Sequence, residues 1–146
     1  MSTVNRYSLK KDGERRLAPN FAVREFACHD GADAILIADE LVVMLQAVRD
    51  HYERPLLITS GYRTAAWNKR VGGVANSQHL LGNAADINVV GVMPDALFAA
   101  IVLGEIPDVN PERIGCGIYR SFVHVDVRGH KARWAGTGAK LIAEPA

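Results

Sequence analysis

The segment Ser77-Gln78-His79-Leu80-Leu81-Gly82-Asn83-Ala84-Ala85-Asp86, read with Phe122-Val123-His124-Val125-Asp126-Val127 well downstream, constrains the fold more than any other part of the chain. The first segment offers an imidazole and a carboxylate, and the second offers another imidazole. Brought together, His79, Asp86 and His124 make a zinc site with three protein ligands and a fourth position left for water, which is what separates a catalytic zinc from a structural one. The fold must therefore make two distant segments converge, and a hydrolase is the leading reading.

Local patterning supplies the elements that carry these segments. Leu41, Leu45, Val48 and Tyr52 recur at helical spacing, predicting an amphipathic helix over residues 39–52 with Asp39 as its N-cap. Pro55 breaks that helix. Leu56-Leu57-Ile58-Thr59-Ser60 then reads as a buried strand ending at Gly61, which delivers Tyr62 and Arg63 at its exit. Residues 85–90 form a second strand candidate, and Pro94-Asp95 opens a helix that runs to about Leu103 and stops at Gly104. Residues 114–119 and 122–127 are the last strand pair. The outcome is an α+β fold, with helices packed on a small, mainly antiparallel sheet. Residues 1–19 are polar and read as an N-terminal arm or irregular lead-in, with one domain over residues 20–146.

Side chains alternate across a strand, so Phe122, His124 and Asp126 share one face while Val123, Val125 and Val127 take the core. Between His79 and Asp86, Gly82 permits a turn, and Ala84 and Ala85 are small enough for close backbone approach. His29, His51 and His130 stand alone and read as ordinary hydrogen-bonded side chains. Trp67 and Trp134 read as packing residues rather than subsite walls.

The pattern Ser77-x-His79-x-x-Gly82-x-Ala84-x-Asp86, followed by His124-x-Asp126, resembles peptidase family M15, the zinc D-Ala-D-Ala carboxypeptidases and murein endopeptidases, in its small single-domain branch from phages and bacteria. The resemblance begins near Asn20-Phe21-Ala22-Val23-Arg24-Glu25-Phe26-Ala27-Cys28. It passes through Ser60-Gly61-Tyr62-Arg63-Thr64 and Asn68-x-x-Val71-Gly72-Gly73, and ends at Val127-Arg128-Gly129 and Arg133-Trp134. It implies a D-Ala-D-Ala carboxypeptidase/hedgehog-like fold with zinc in a cleft, and the peptide stem or cross-bridge of peptidoglycan as substrate. It also puts Arg63 where a substrate carboxylate or scissile carbonyl oxygen lies, a role that suits the planar guanidinium fork. Tyr62 and Ser77 are expected to line the substrate site. Ser77 lacks the Gly-x-Ser-x-Gly context of a nucleophile and reads as ordering its loop.

On this reading zinc polarises the scissile carbonyl and activates water while a carboxylate carries the proton to the leaving amine. Many members of the family hold an acidic residue three positions before the last histidine ligand, and this chain has Ser121 there. Asp126 is the expected substitute as general base, with orientation of a histidine as its alternative role.

Composition limits the other classes. A chain of 146 residues, 49% hydrophobic, is long enough for one core and a cleft without disulfides. Seventeen basic against sixteen acidic residues give a net charge of +1, which argues against nucleic acid as partner. Pairs such as Lys10-Lys11 and Arg15-Arg16 read as a solvated face. The start, Met1-Ser2-Thr3-Val4-Asn5-Arg6-Tyr7, lacks the apolar stretch of a secretory signal, and no segment has the length of a membrane span. The expectation is a monomer made in the cytoplasm and acting at the cell wall, with phage origin or delivery by a virion among the routes. Cys28 and Cys116 read as two buried thiols. Two alternatives stay open: a zinc-binding module of the wall or the phage particle with little turnover, and a zinc amidopeptidase acting on some other peptide.

Overall fold

Alternation along two strands decides what each side of the main sheet holds. Ala85, Ile87 and Val89 alternate with Ala84, Asp86 and Asn88, and Val123 and Val125 alternate with His124 and Asp126. In the computed structural model, which describes residues 3–136 and Ala139, these become neighbouring strands with the aliphatic residues on one face and the chemistry on the other. The elements in chain order are β1 (Val4–Ser8), α1 (Leu9–Asp12), β2 (Arg16–Ala18), β3 (Phe21–Ala22), β4 (Ala34–Ala38), α2 (Asp39–Tyr52) and β5 (Leu56–Ser60). They continue with α3 (Ala65–Arg70), β6 (Ala84–Val89), α4 (Pro94–Val102), β7 (Gly115–Ile118), β8 (Val123–Asp126) and β9 (Ala132–Ala135). The main sheet has five strands in the order β5-β6-β8-β7-β9. Its pairings are antiparallel except β7 with β9, which is parallel. The α+β architecture with a mainly antiparallel sheet is therefore the one the patterning predicts.

The core lies between one face of this sheet and two helices. From α2 it takes Leu41, Val42, Met44, Leu45 and Val48, and from α4 it takes Leu97, Phe98, Ala100, Ile101 and Val102. Ile87, Val123, Val125 and Cys116 meet them with no exposed surface. Each of the Val, Leu, Ile, Phe and Met side chains among these contributes about 1.5–3 kcal/mol by leaving water, so the sheet is anchored on its aliphatic side and the opposite face is left to carry polar groups. Cys28 and Cys116 are buried and unbridged. No described helix is long and apolar enough to cross a membrane.

The structure departs from expectation at three places. Residues expected as an irregular lead-in form β1, α1 and β2. Strand β1 pairs antiparallel with β4 from Val4↔Ala38 to Ser8↔Ala34, and Tyr7, Leu9 and Leu17 pack against the core. Asp39 does not cap α2. Ala38 holds the cap position without a side-chain hydrogen bond, and Asp39 lies in the first turn, where a carboxylate favours the positive end of the helix dipole and accepts from Asn5 at 2.8 Å. Elements β3, β4, α3 and β9 lie where no element is predicted.

Candidate metal centre

Strand register assembles the centre. On the polar face of the sheet, Ser60, Asp86, His124, Gly117 and Trp134 occupy one row across all five strands, each the direct partner of the next. Directly opposed residues on one face hold their side chains within contact, so Asp86 and His124 are neighbours because β6 and β8 are paired in this register. His79 arrives from a different direction. It sits in a 3₁₀ turn, Gln78–Leu81, capped by the Ser77 hydroxyl, which accepts from the His79 N–H at 3.2 Å. Gly82 ends that turn at φ 77°, a left-handed conformation that costs glycine little, and a side chain there would run into the backbone of Leu36. The chain can then reverse into β6 and bring Asp86 back beneath the imidazole.

The three side chains are almost fully buried and one ligand atom from each lies within 4.8 Å of the others. Among the described residues no other cluster of three such side chains comes together. The two imidazole rings meet edge to face, with centroids 5.0 Å apart.

Hydrogen bonding fixes which nitrogen each histidine offers. Gly61 has only a carbonyl oxygen to give at 2.7 Å from His79 Nδ1, so that nitrogen carries the proton and donates, leaving the Nε2 lone pair facing Asp86 Oδ1 at 3.2 Å. His124 is turned the other way. Its Nε2–H donates to Asp126 Oδ2 at 2.7 Å, and Nδ1 faces the same Asp86 Oδ1 at 3.2 Å. One carboxylate oxygen thus opposes two acceptor nitrogens, an arrangement that is repulsive unless a proton or a cation lies among them. Two imidazoles and a carboxylate on a closed side, with a cleft on the other, fit zinc with an open coordination position. His79, Asp86 and His124 would hold it.

Charge balance follows from the same contacts. Burial pushes the Asp86 carboxyl up, but where a proton rather than a cation lies between it and the facing nitrogens, hydrogen bonds from His124 and His79 outweigh that push and hold the group at about 2. For His124, burial pushes downward and the hydrogen bonds to Asp126 and Asp86 reverse the direction, so its pKa is raised.

Asp126 occupies a less expected position. It shares the face of His124 as alternation requires, yet its side chain is wholly buried. Arg128 clamps it with a two-pronged contact, Nε to Oδ1 at 2.8 Å and Nη2 to Oδ2 at 2.7 Å, and the backbone N–H groups of Gly115 and Arg128 each donate to Oδ1 at 3.2 Å. Burial pushes its carboxyl up, and the Arg128 and His124 contacts more than compensate, so it stays ionised well below the usual carboxylate range. The Arg128 guanidinium is in turn raised by its hydrogen bond to Asp126.

Arg63 stands on the other flank. Its Nε donates to Ser60 Oγ at 3.2 Å, Nη1 to Asn68 Oδ1 at 3.2 Å and Nη2 to Asp86 Oδ2 at 3.4 Å. Asn68, buried and donating to the Val74 carbonyl at 2.8 Å, ties Arg63 to the loop that walls the cleft. The sequence marks Asn68 only as part of the stretch Asn68-x-x-Val71-Gly72-Gly73 that carries the resemblance, and its contact with Arg63 is not legible there.

The resulting cleft has a volume of about 540 Å³. His79, Asp86 and His124 lie at its base, Arg63 and Ser77 line one side, and Tyr119, Phe122, Arg128 and Trp134 line the other. Tyr62 is not among its lining residues; that side chain packs against the core while its N–H donates to the Phe26 carbonyl at 2.9 Å. Trp67 lies outside too, near His29 and Arg70. Trp134, expected as a packing residue, is part of the cleft wall.

A triad able to hold a metal at the base of an open cleft marks the molecule as a metal-binding protein with room for a substrate. The model of the family Peptidase M15 matches residues 16–126, and the chain belongs to that family. A zinc D-Ala-D-Ala carboxypeptidase from Streptomyces albus G is 42% identical over 53 residues. That match spans 34% of this chain and 21% of the relative, so the chain covers about a fifth of the relative's length.

Proposed function

We propose that the protein is a zinc peptidase that hydrolyses peptide bonds of bacterial peptidoglycan, acting at the cell wall either on cross-links as an endopeptidase or on a terminal D-Ala as a carboxypeptidase. The observation that carries this reading is the convergence of two imidazole nitrogens on one Asp86 oxygen at the base of a cleft. Family membership and the Streptomyces albus G relative support the choice of metal and substrate class. When bound, zinc supplies Lewis-acid polarisation of the carbonyl and activation of water.

The chain's own residues do the rest. Gly61 and Asp126 hold the two imidazoles in the tautomers that leave a lone pair for the metal. Arg63, fixed by Ser60 and Asn68, presents a cation to a substrate carboxylate or carbonyl oxygen. Ser77 positions His79 through the backbone and borders the substrate. Asp126 is assigned the orienting role rather than that of general base, because both its oxygens are engaged and no part of it reaches the cleft.

A second reading is favoured by one observation. Among the described residues Asp86 is the only carboxylate lining the cleft, and the position where many members of the family hold an acid has the exposed Ser121. A wall-binding module that keeps the metal with little turnover has the same appearance. Digestion of purified murein by zinc-loaded protein separates the two: released muropeptides support the peptidase, and their masses separate cross-link cleavage from loss of D-Ala. Zinc-loaded protein that binds murein and releases nothing overturns the peptidase reading.

A further inference from the structure

The wall of the cleft opposite Arg63 is built around a hydroxyl group. Along the sheet the order is Arg63 beyond the end of β5, Asp86 on β6, His124 on β8, Tyr119 just after β7, and Trp134 on β9. Arg63 and Tyr119 therefore flank the metal ligands on opposite sides. Tyr119 Oη accepts the indole N–H of Trp134 at 3.0 Å, and no other side-chain hydrogen bond to that oxygen occurs among the described residues. A phenol that accepts from the protein keeps its own proton to give.

Both rings are fixed. Tyr119 stacks on Phe122 with centroids 4.5 Å apart and planes 11° from parallel. Trp134 lies between the His124 ring, 5.0 Å away, and the Arg128 guanidinium, 5.1 Å from its centroid. Its indole occupies the space above Gly117, where any side chain would collide with it. The register explains the placement: Gly117 is the residue between His124 and Trp134 in the cross-sheet row, and its missing side chain lets the indole lean toward the centre.

We propose that the Tyr119 hydroxyl, oriented by Trp134, donates a hydrogen bond to a carbonyl oxygen of the bound peptide, pairing with Arg63 across the metal site to stabilise the negative charge that develops there. The proposal rests on the peptidase reading above. A donor held in place before the substrate arrives needs no reorganisation as charge develops, and removing such a donor typically costs ~10²-fold or more in rate.

The test is a cycle of Tyr119→Phe, Trp134→Phe and the double variant, each loaded with zinc and assayed on purified murein. Tyr119→Phe keeps the stacked ring and the fold, so the expected result is about a 10²-fold lower kcat with KM little changed and zinc content intact. Trp134→Phe removes the orienting N–H while keeping a smaller aromatic ring between His124 and Arg128, and should lose less. The double variant should be no worse than Tyr119→Phe, since the indole acts through the phenol. Binding is read separately from turnover by the indole N–H resonance of Trp134, one of two tryptophans in the chain, assigned with Trp67→Phe. It should move when a purified muropeptide is added to wild type and move distinctly less in Tyr119→Phe, where the peptide still binds but the hydrogen-bonded link from peptide to indole is gone. Wild-type rates in Tyr119→Phe, additive losses in the cycle, or an equal resonance shift in Tyr119→Phe overturn the proposal alone. A wild-type protein that neither cuts murein nor shows the shift overturns the peptidoglycan reading and this inference together.

Discussion

The two histidines of the centre reach the same carboxylate oxygen from opposite logic. His79 comes from a capped turn, donates from Nδ1 to the neutral carbonyl of Gly61, and offers Nε2. His124 comes from the middle of a sheet, donates from Nε2 to an ionised Asp126 locked by Arg128, and offers Nδ1. One ligand is held by backbone geometry and the other by a chain of charges. A charged acceptor raises the basicity of the imidazole it orients, which a carbonyl does more weakly. The difference teaches that an HxD pair on a strand need not present both groups to the cleft: here the histidine faces the candidate metal site and the aspartate stands behind it.

The largest effect that bears on this comparison comes from the ligands themselves. Wild type should carry about one zinc per chain, and His79→Ala, Asp86→Ala and His124→Ala should each empty the site by elemental analysis. Full occupancy in either histidine variant would mean that one of the two arms is not a ligand. Next in size is Arg63→Ala, which removes a cation that touches the shared ligand Asp86 from outside both arms. Turnover on murein should fall by ~10²-fold or more while zinc is kept. Arg63→Lys should restore little, because a single ammonium cannot reproduce the fork.

The charged arm is broken by Asp126→Asn. Zinc affinity should weaken by about 10- to 100-fold, with turnover partly recovered in excess metal. Unchanged affinity with lost turnover would instead make Asp126 the general base. The neutral arm is tested by Gly61→Ala, since a side chain at Gly61 would press on the backbone of Phe26 and shift the carbonyl that holds His79. Its effect on zinc affinity should be the smallest, roughly 10-fold or less. A larger loss than in Asp126→Asn would reverse the ranking of the two arms.

Much of the frame was legible in the residue pattern. Helix α2, strand β5 and helix α4 follow from periodicity and from Pro55, Pro94 and Gly104, because those signals act within a few residues of where they are read. Strand β1 was not legible. Val-Asn-Arg-Tyr-Ser is mostly polar, and it is a strand only because β4 lies beside it. Helix α3 has six residues, too few for a periodic signature. Strand β9 depends on a parallel pairing with β7, which no local turn announces.

The same division runs through the centre. Residue types and spacing by themselves determined that His79, Asp86 and His124 are the candidate ligands, that His124 and Asp126 share a face, and that the valines between them belong to the core. Ligand identity is a matter of chemistry and alternation, and both are written along the chain. Only the tertiary structure decided what stands next to each group: Arg128 over Asp126, Asn68 behind Arg63, and Trp134 leaning across Gly117 to hold Tyr119. The first two pairs are close in sequence and depend on the path the chain takes after β8 and around α3, whereas the third depends on the β7–β9 register. A carboxylate becomes a base or an orienting group according to which neighbours close around it.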